Sequence, residues 1–245
     1  MKNTDYRQIA YTNYLQRPQN ADARGYTPNA MPPELGAALY GDALAAADRA
    51  APAFEIGAGE GHFLAYLRDQ GFTRAYGVDL SAPMVEHARQ RQVDVRLENG
   101  IEHLAALPDN HLGLVVAIDI IEHLNKPEII DLLRHTLRTL KPGGVLIVKT
   151  VNGQGLFKGQ VMYGDVTHTT MLNPGSLGQL LAMTGFTEPV FRESTFFGRG
   201  KREWLRRKLW PVIKAITNLC RWVESGKTQT IWSENMICWT RKPAP

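Results

Sequence analysis

The sequence predicts an α/β fold built on a doubly wound, mostly parallel sheet. Three observations carry that expectation. Short apolar segments alternate with segments of helical period across residues 53–150. The first apolar segment runs directly into alternating glycines, "FEIGAGEG". A longer run, "LGLVVAIDII", is apolar throughout, as a strand buried on both faces requires.

Taken in order, residues 1–30 are polar and carry Tyr6, Tyr11, Tyr14 and Tyr26, which reads as an irregular or partly helical arm. The alanine-rich stretch 33–49 predicts a helix opened by Pro32 and Pro33. "AFEI" is the first strand, and "HFLAYLRDQG" is a helix ending at Gly71. "RAYGVDL" is the second strand, followed by a helix with Ser81 at its N-cap. "VDVRLE" is the third strand and "LGLVVAIDII" the fourth. "KPEIIDLLRHTLRTLKPGG" is a helix closed by Pro142 and the glycines, and "VLIVKT" is the fifth strand. The expected organisation is an arm and helix over 1–50, a ligand-binding core over 51–197, a basic helical insertion over 198–226, and final strands with a tail over 227–245.

Composition narrows the class. A hydrophobic share of 44% supports a real core, and 21% charged residues argue against wholesale disorder. Cys220 and Cys238 have no metal-binding spacing, which points to a reduced, cytoplasmic protein. The first residues lack a signal-type apolar core, and no run approaches the roughly 18–20 apolar residues of a membrane span. Charge is unevenly placed. Residues 198–222 hold eight Lys/Arg and one Glu; without them 28 basic residues fall to 20 and 24 acidic to 23, a net of −3.

The glycines ask for a ligand. Gly57, Gly59 and Gly61 follow a strand, with Glu55 before them and Asp79 at the end of the next strand. The GxGxG spacing misses the dinucleotide fingerprint, and the chain has no GxxxxGK[ST] phosphate loop. In order along the chain, "FEIGAGEGHF", "GVDLS", "VVAIDIIEHL" and "LKPGGVLIV" resemble the motifs of class I S-adenosylmethionine-dependent methyltransferases over roughly residues 50–190. That resemblance implies the Rossmann-like methyltransferase fold and S-adenosylmethionine as cofactor.

It also implies roles. Glu55 orients the cationic amino acid end, while Gly57, Ala58 and Gly59 let the backbone lie beside the cofactor. Asp79 accepts the ribose hydroxyls. Leu80 and Met84 pack on the adenine, and the backbone at Ile118 and Asp119 lines the amino acid end. Two positions depart from the family pattern. Asn99 or Gly100 stands where an acid usually reaches the adenine amino group, with the Asn99 carbonyl as substitute acceptor. Gly113 replaces a frequent Asp before the fourth strand, a change expected to cost capping or solubility.

Transfer to a hydroxyl needs alignment and a base. His168, with Asp165 three residues before it, is the first candidate, and His123 in "IIEHL" the second. The other histidines fall on expected helices or surface turns. Acids and histidines are too scattered along the chain to nominate a metal site.

The basic segment has helical periodicity from Trp204 onward, interrupted by Pro211. It reads as a helix packed on its own core with a solvated basic face, or as an interfacial helix on an anionic membrane. Nucleic acid is disfavoured, because the aromatics share the apolar side. The segment between "GDVTHTT" and "TQTIWSENMICWTRKP" is similar to that of bacterial methyltransferases of surface-polysaccharide assembly. The resemblance implies O-methylation of a sugar hydroxyl in a glycan or its lipid-linked precursor, at the inner membrane face. Two alternatives stand: a phenolic quinone-type precursor as acceptor, or a non-catalytic cofactor-binding partner subunit.

Overall fold

The computed structural model describes residues 31–245; the tyrosine-rich arm expected over 1–30 lies outside them. Seven strands form one sheet in the order β3-β2-β1-β4-β5-β7-β6. They are β1 (Ala53–Ile56), β2 (Ala75–Asp79), β3 (Val95–Leu97), β4 (Leu112–Ile118), β5 (Leu140–Val151), β6 (Val190–Glu193) and β7 (Asn235–Arg241). The first five are parallel, while β7 runs antiparallel to both of its neighbours. β6 therefore points the same way as β5.

Side chains alternate across the sheet and build two cores. On β4, Leu114 and Val116 join the cluster made with α1 (Pro33–Ala45), α2 (His62–Asp69) and α3 (Ala82–Gln90). Leu112 and Val115 join the opposite cluster, with α4 (Gly100–Ala106), α5 (Lys126–Thr139) and α7 (Pro174–Thr184), the last preceded in the chain by the short α6 (Lys158–Gly164). The expected strand "LGLVVAIDII" is thus buried on both faces, but it ends at Ile118. Its last residues turn into a 3-10 helix, Ile121–His123. Helix α1 is integral to the first core through Leu39, Tyr40, Ala43 and Leu44.

One helix boundary differs from the sequence reading for a local reason. Helix α5 stops at Thr139, because "LKPGG" pairs as the start of β5 across a register shift at Leu112/Leu114. Its start is fixed by a capping box, with Asn125 and Glu128 each accepting the other's backbone N–H. Ser81 does occupy the N-cap of α3, but its hydroxyl caps nothing; its N–H donates instead to Asp79 Oδ1 at 2.7 Å.

Gly113 has a packing reason. A Cβ there would lie 2.7 Å from Ala51 Cβ and 2.9 Å from the Asp48 carbonyl oxygen. The glycine is what lets β4 pass under the turn before β1, so this departure serves packing rather than costing it.

The last element before β7 is α8 (Lys201–Ser225), 25 residues with none buried. It sits between β6 and β7, in the expected place. Among the described residues no helix is long and apolar enough to cross a membrane.

Candidate active site

The order of the sheet reverses between β1 and β4, and ligands in such sheets lie beyond the strand ends at that point. Two loops flank this crevice: 57–61 after β1 and 119–125 after β4. The first is a left-handed turn, with φ of +65°, +53° and +76° at Gly57, Gly59 and Gly61. Side chains at Gly57 and Gly61 would strike Ile120 and Val93, whereas a Cβ at Gly59 would meet nothing within 4 Å. Gly59 therefore presents bare backbone to open space, as a ligand lying on the chain requires.

Asp79 ties this turn to the end of β2. Its Oδ2 accepts the Gly59 N–H at 2.8 Å and its Oδ1 accepts the Ser81 N–H at 2.7 Å. Ala58 N–H donates to the Val78 carbonyl at 2.9 Å, a second tie of this turn to β2. Burial raises the Asp79 carboxyl above its ordinary value, opposed by these backbone bonds. Leu80 beside it is exposed, and Met84 on α3 is buried.

Glu55 is buried on β1, and its Oε2 has no hydrogen-bond partner. Burial, then the nearby Asp79 charge, hold its carboxyl well above the ordinary range. An unsatisfied buried carboxylate oxygen is costly unless a ligand donor reaches it. A cationic ammonium is such a donor, so the site fits the amino acid end of S-adenosylmethionine.

On the expected adenine side, Asn99 and Gly100 also have structural roles. Asn99 is the N-cap of α4: its Oδ1 accepts from Ile101 N–H at 2.9 Å and Glu102 N–H at 3.4 Å. Its backbone carbonyl accepts the His103 N–H. Oδ1 is thus engaged as the cap, while the backbone carbonyl keeps a second acceptor lone pair and the side-chain NH2 can donate. At Gly100 a Cβ would strike Ile56, so the glycine lets α4 close on β1.

Past β4, Ile118 is half-buried and Asp119 adopts a left-handed φ of +54°. Non-glycine residues seldom hold that conformation, and it concentrates at functional sites. The Asp119 carboxylate accepts from Lys149 Nζ, at 2.8 Å to Oδ1, and its N–H bonds the Lys149 carbonyl. β5 thereby holds the strained turn in place.

The acceptor side gathers three candidates that are distant in sequence. His123, on the 3-10 helix, is buried. Its Nδ1 lies 2.8 Å from Thr167 Oγ1, whose own hydrogen goes to Asp165 Oδ1 at 2.6 Å. The hydroxyl therefore accepts from the ring, which puts the proton on Nδ1 and the lone pair on Nε2. His168 lies edge-on to His123, ring centres 4.7 Å apart, and its Nδ1 donates to the Met162 carbonyl at 3.1 Å. That again leaves Nε2 as the lone-pair nitrogen.

Two sequence readings shift here. Asp165, singled out as the neighbour of His168 in sequence, accepts from Thr167 Oγ1, which in turn meets His123. The residues judged too scattered for a metal converge: one ligand atom each from His123, Asp165 and His168 fall within 4.8 Å of one another.

Burial, then the neighbouring His168, push the His123 pKa down to about 4, so the ring is neutral near pH 7. Beneath it is Glu122, which the sequence reading left unassigned. It is buried, accepts from Thr150 Oγ1 at 2.8 Å, and takes the Thr169 and Thr170 N–H groups on its backbone carbonyl. Burial, then the Asp119 charge, raise its pKa to about 8. Asn152, fully buried, holds the far side by donating to the Ser233 carbonyl at 2.9 Å. A carboxyl directly before His123 was the available signal for Glu122; nothing local marked Thr167 or Asn152.

The methyltransferase-domain family model matches residues 33–188. The chain belongs to the methyltransferase-domain family. It is 30% identical over 183 residues to a "Probable S-adenosylmethionine-dependent methyltransferase" of Mycolicibacterium smegmatis, covering 75% of this chain and 67% of the relative. Its fold resembles that of a SAM-dependent methyltransferase from Archaeoglobus fulgidus, with a TM-score of 0.65 and 20% identity over 86% of this chain and 95% of the other. It also resembles the Haemonchus contortus phosphoethanolamine N-methyltransferase 2 bound to S-adenosylhomocysteine, with a TM-score of 0.57 and 16% identity over 95% and 60% of the two chains. The methyltransferase thus has the Rossmann-like fold of its family, and its cofactor is S-adenosylmethionine.

Proposed function

We propose that this methyltransferase acts on oxygen, and that its acceptor is a sugar hydroxyl of a surface glycan or its lipid-linked precursor. One observation carries the reading: two imidazoles, fixed so that each offers Nε2 as its lone-pair nitrogen, meet a carboxylate beside the cofactor loops. The bound cofactor supplies a methyl group on a sulfonium. The chain must align a weak nucleophile and take its proton.

His168 is the base in this reading. Its Nδ1–H is pinned to the Met162 carbonyl, which aims Nε2 and leaves it able to accept the hydroxyl proton. His123, with a pKa near 4, is too weakly basic for that step at neutral pH and serves as a neutral wall. Asp165 fixes His123 through Thr167 and offers a carboxylate to a neighbouring acceptor hydroxyl. His168→Ala should lower turnover by roughly 10²- to 10⁴-fold while leaving affinity for S-adenosylhomocysteine unchanged. Unaltered turnover would remove His168 from the mechanism.

The convergence of three ligand atoms favours one further reading, in which His123, Asp165 and His168 hold a divalent cation that binds the acceptor oxygen and eases its deprotonation. Chelation separates the two. Turnover lost in EDTA and restored by added zinc or manganese supports the cation, and turnover indifferent to EDTA supports His168 alone.

Acceptor class is tested with methyl-labelled cofactor offered a glycolipid extract and a quinone-precursor extract in parallel. Label in the glycolipid supports this reading. Label in the quinone fraction moves the acceptor to a phenol, and cofactor binding without transfer to either leaves another acceptor or the non-catalytic partner.

A further inference from the structure

Helix α8 is amphipathic the wrong way round for a helix packed on its own core. Its half-buried positions, facing the body, are Glu203, Trp210, Lys214, Thr217, Asn218 and Arg221, a set at helical spacing and almost wholly polar. They are tied down by polar bonds. Trp210 Nε1 and Lys214 Nζ both donate to Glu193 Oε2 on β6, at 2.9 and 3.0 Å, and Asn218 exchanges two bonds with the Gln229 backbone. The opposite side is apolar and faces outward: Leu205, Leu209, Val212, Ile216, Leu219 and Trp222 are 48–60% exposed. Of the two readings of this segment, a stripe packed on the core with a solvated basic face is therefore not the one that the fold adopts.

Charge says what covers the stripe. Lys201, Arg202, Arg207 and Lys208 are exposed and have no ion-pair partner among the described residues. They crowd the N-terminal turns, where the helix dipole already disfavours cations, and Gly200 supplies no side-chain cap. Arg199, Lys201 and Arg207 line an open cleft of about 700 Å³ there, with Trp204 on its wall. A second copy seated in parallel would bring the same cations face to face. Anionic lipid headgroups neutralise them while acyl chains take up the stripe, with Trp204 and Trp222 at the boundary.

We propose that α8 lies flat on an anionic membrane surface, its apolar stripe in the lipid and its N-terminal cations among the headgroups. The placement suits the site. β6 points the same way as β5, so α8 leaves the sheet at the strand ends that carry the cofactor loops. The segment returning from α8 bonds the loop after β5, Gln229 to the Gln154 carbonyl and Leu156 N–H to the Trp232 carbonyl. Lipid docking would hold the acceptor rim at the membrane. The proposal does not depend on which acceptor is methylated.

The test is co-sedimentation of the full chain with vesicles of phosphatidylglycerol and phosphatidylcholine, against phosphatidylcholine alone. Each basic residue at such a surface contributes roughly a fivefold factor in partitioning. The combined variant Lys201→Gln, Arg202→Gln, Arg207→Gln and Lys208→Gln should lose about a few hundredfold in binding. A second variant, Leu209→Gln, Ile216→Gln and Leu219→Gln, should also release the protein. All seven side chains are exposed, so both variants should keep wild-type S-adenosylhomocysteine affinity and circular dichroism. No binding to the anionic vesicles overturns the proposal, as does equal binding to both vesicle types. So does a dimer in sedimentation velocity that the apolar variant dissolves, since a second copy would then cover the stripe.

Discussion

Asp79 shows how much one side chain does at this site. Its two oxygens close the glycine turn and the start of α3 while facing the space where ribose hydroxyls are expected. Asp79→Ala should weaken S-adenosylhomocysteine binding by roughly ten- to a hundredfold in calorimetry, since charge-assisted bonds contribute about 1.5–3 kcal/mol each. Glu122 and His123 give the fold an opposed pH response. His123 titrates at about 4 instead of 6.5, so its contribution is present above pH 6.5 and lost as pH falls toward 4. Glu122 titrates at about 8 instead of 4.5, so its contribution is full below pH 4.5 and lost as pH rises through 8. Urea unfolding should therefore show wild-type stability falling from pH 6.5 through 8, by on the order of 1 kcal/mol. Glu122→Gln, which keeps an acceptor for Thr150, should flatten that slope, and a parallel slope would disprove the assignment. Glu55, Asp79 and the glycines were legible because a turn of bare backbone between two acids is written locally. Thr167 was not, since a hydroxyl is informative only once folding has set it between His123 and Asp165.

At the scale of elements, apolar runs followed by turn residues located the five parallel strands, most plainly β4, which is buried on both faces and carries no polar side chain. Those signals misplaced the end of α5, where "LKPGG" reads as a helix stop although its backbone pairs in β5. The short edge strand β6 is only partly buried, and gave no periodic signal. For α8 the stripe was visible but its direction was not; that depends on Glu193, which only the fold brings to Trp210 and Lys214. Gly113 makes the converse point, a departure from pattern explained by a neighbouring turn. Gly113→Asp should destabilise the protein by about 1–3 kcal/mol in urea titration, through overpacking against Ala51 and the Asp48 carbonyl. Unchanged stability would mean that the turn before β1 yields freely.

Across the whole molecule, chemistry is concentrated at one edge of the sheet. The cofactor turn, the strained Asp119, the histidine pair and the root of α8 all sit at the ends of β1, β4, β5 and β6. The connection carrying α8 also begins and ends at adjacent rungs of one antiparallel pair, where Glu193 is in register with Met236 and Ser194 N–H bonds the Asn235 carbonyl. Chain entering and leaving through neighbouring rungs can be exchanged without rethreading the sheet. The helix is in that sense a cassette. A version in which a short linker replaces residues 201–225 alone, keeping the returning segment that bonds Gln154 and Asn152, should remain a folded, cofactor-binding catalyst on a water-soluble acceptor, and the excised helix, grafted onto an unrelated β-ribbon, would be a portable address label.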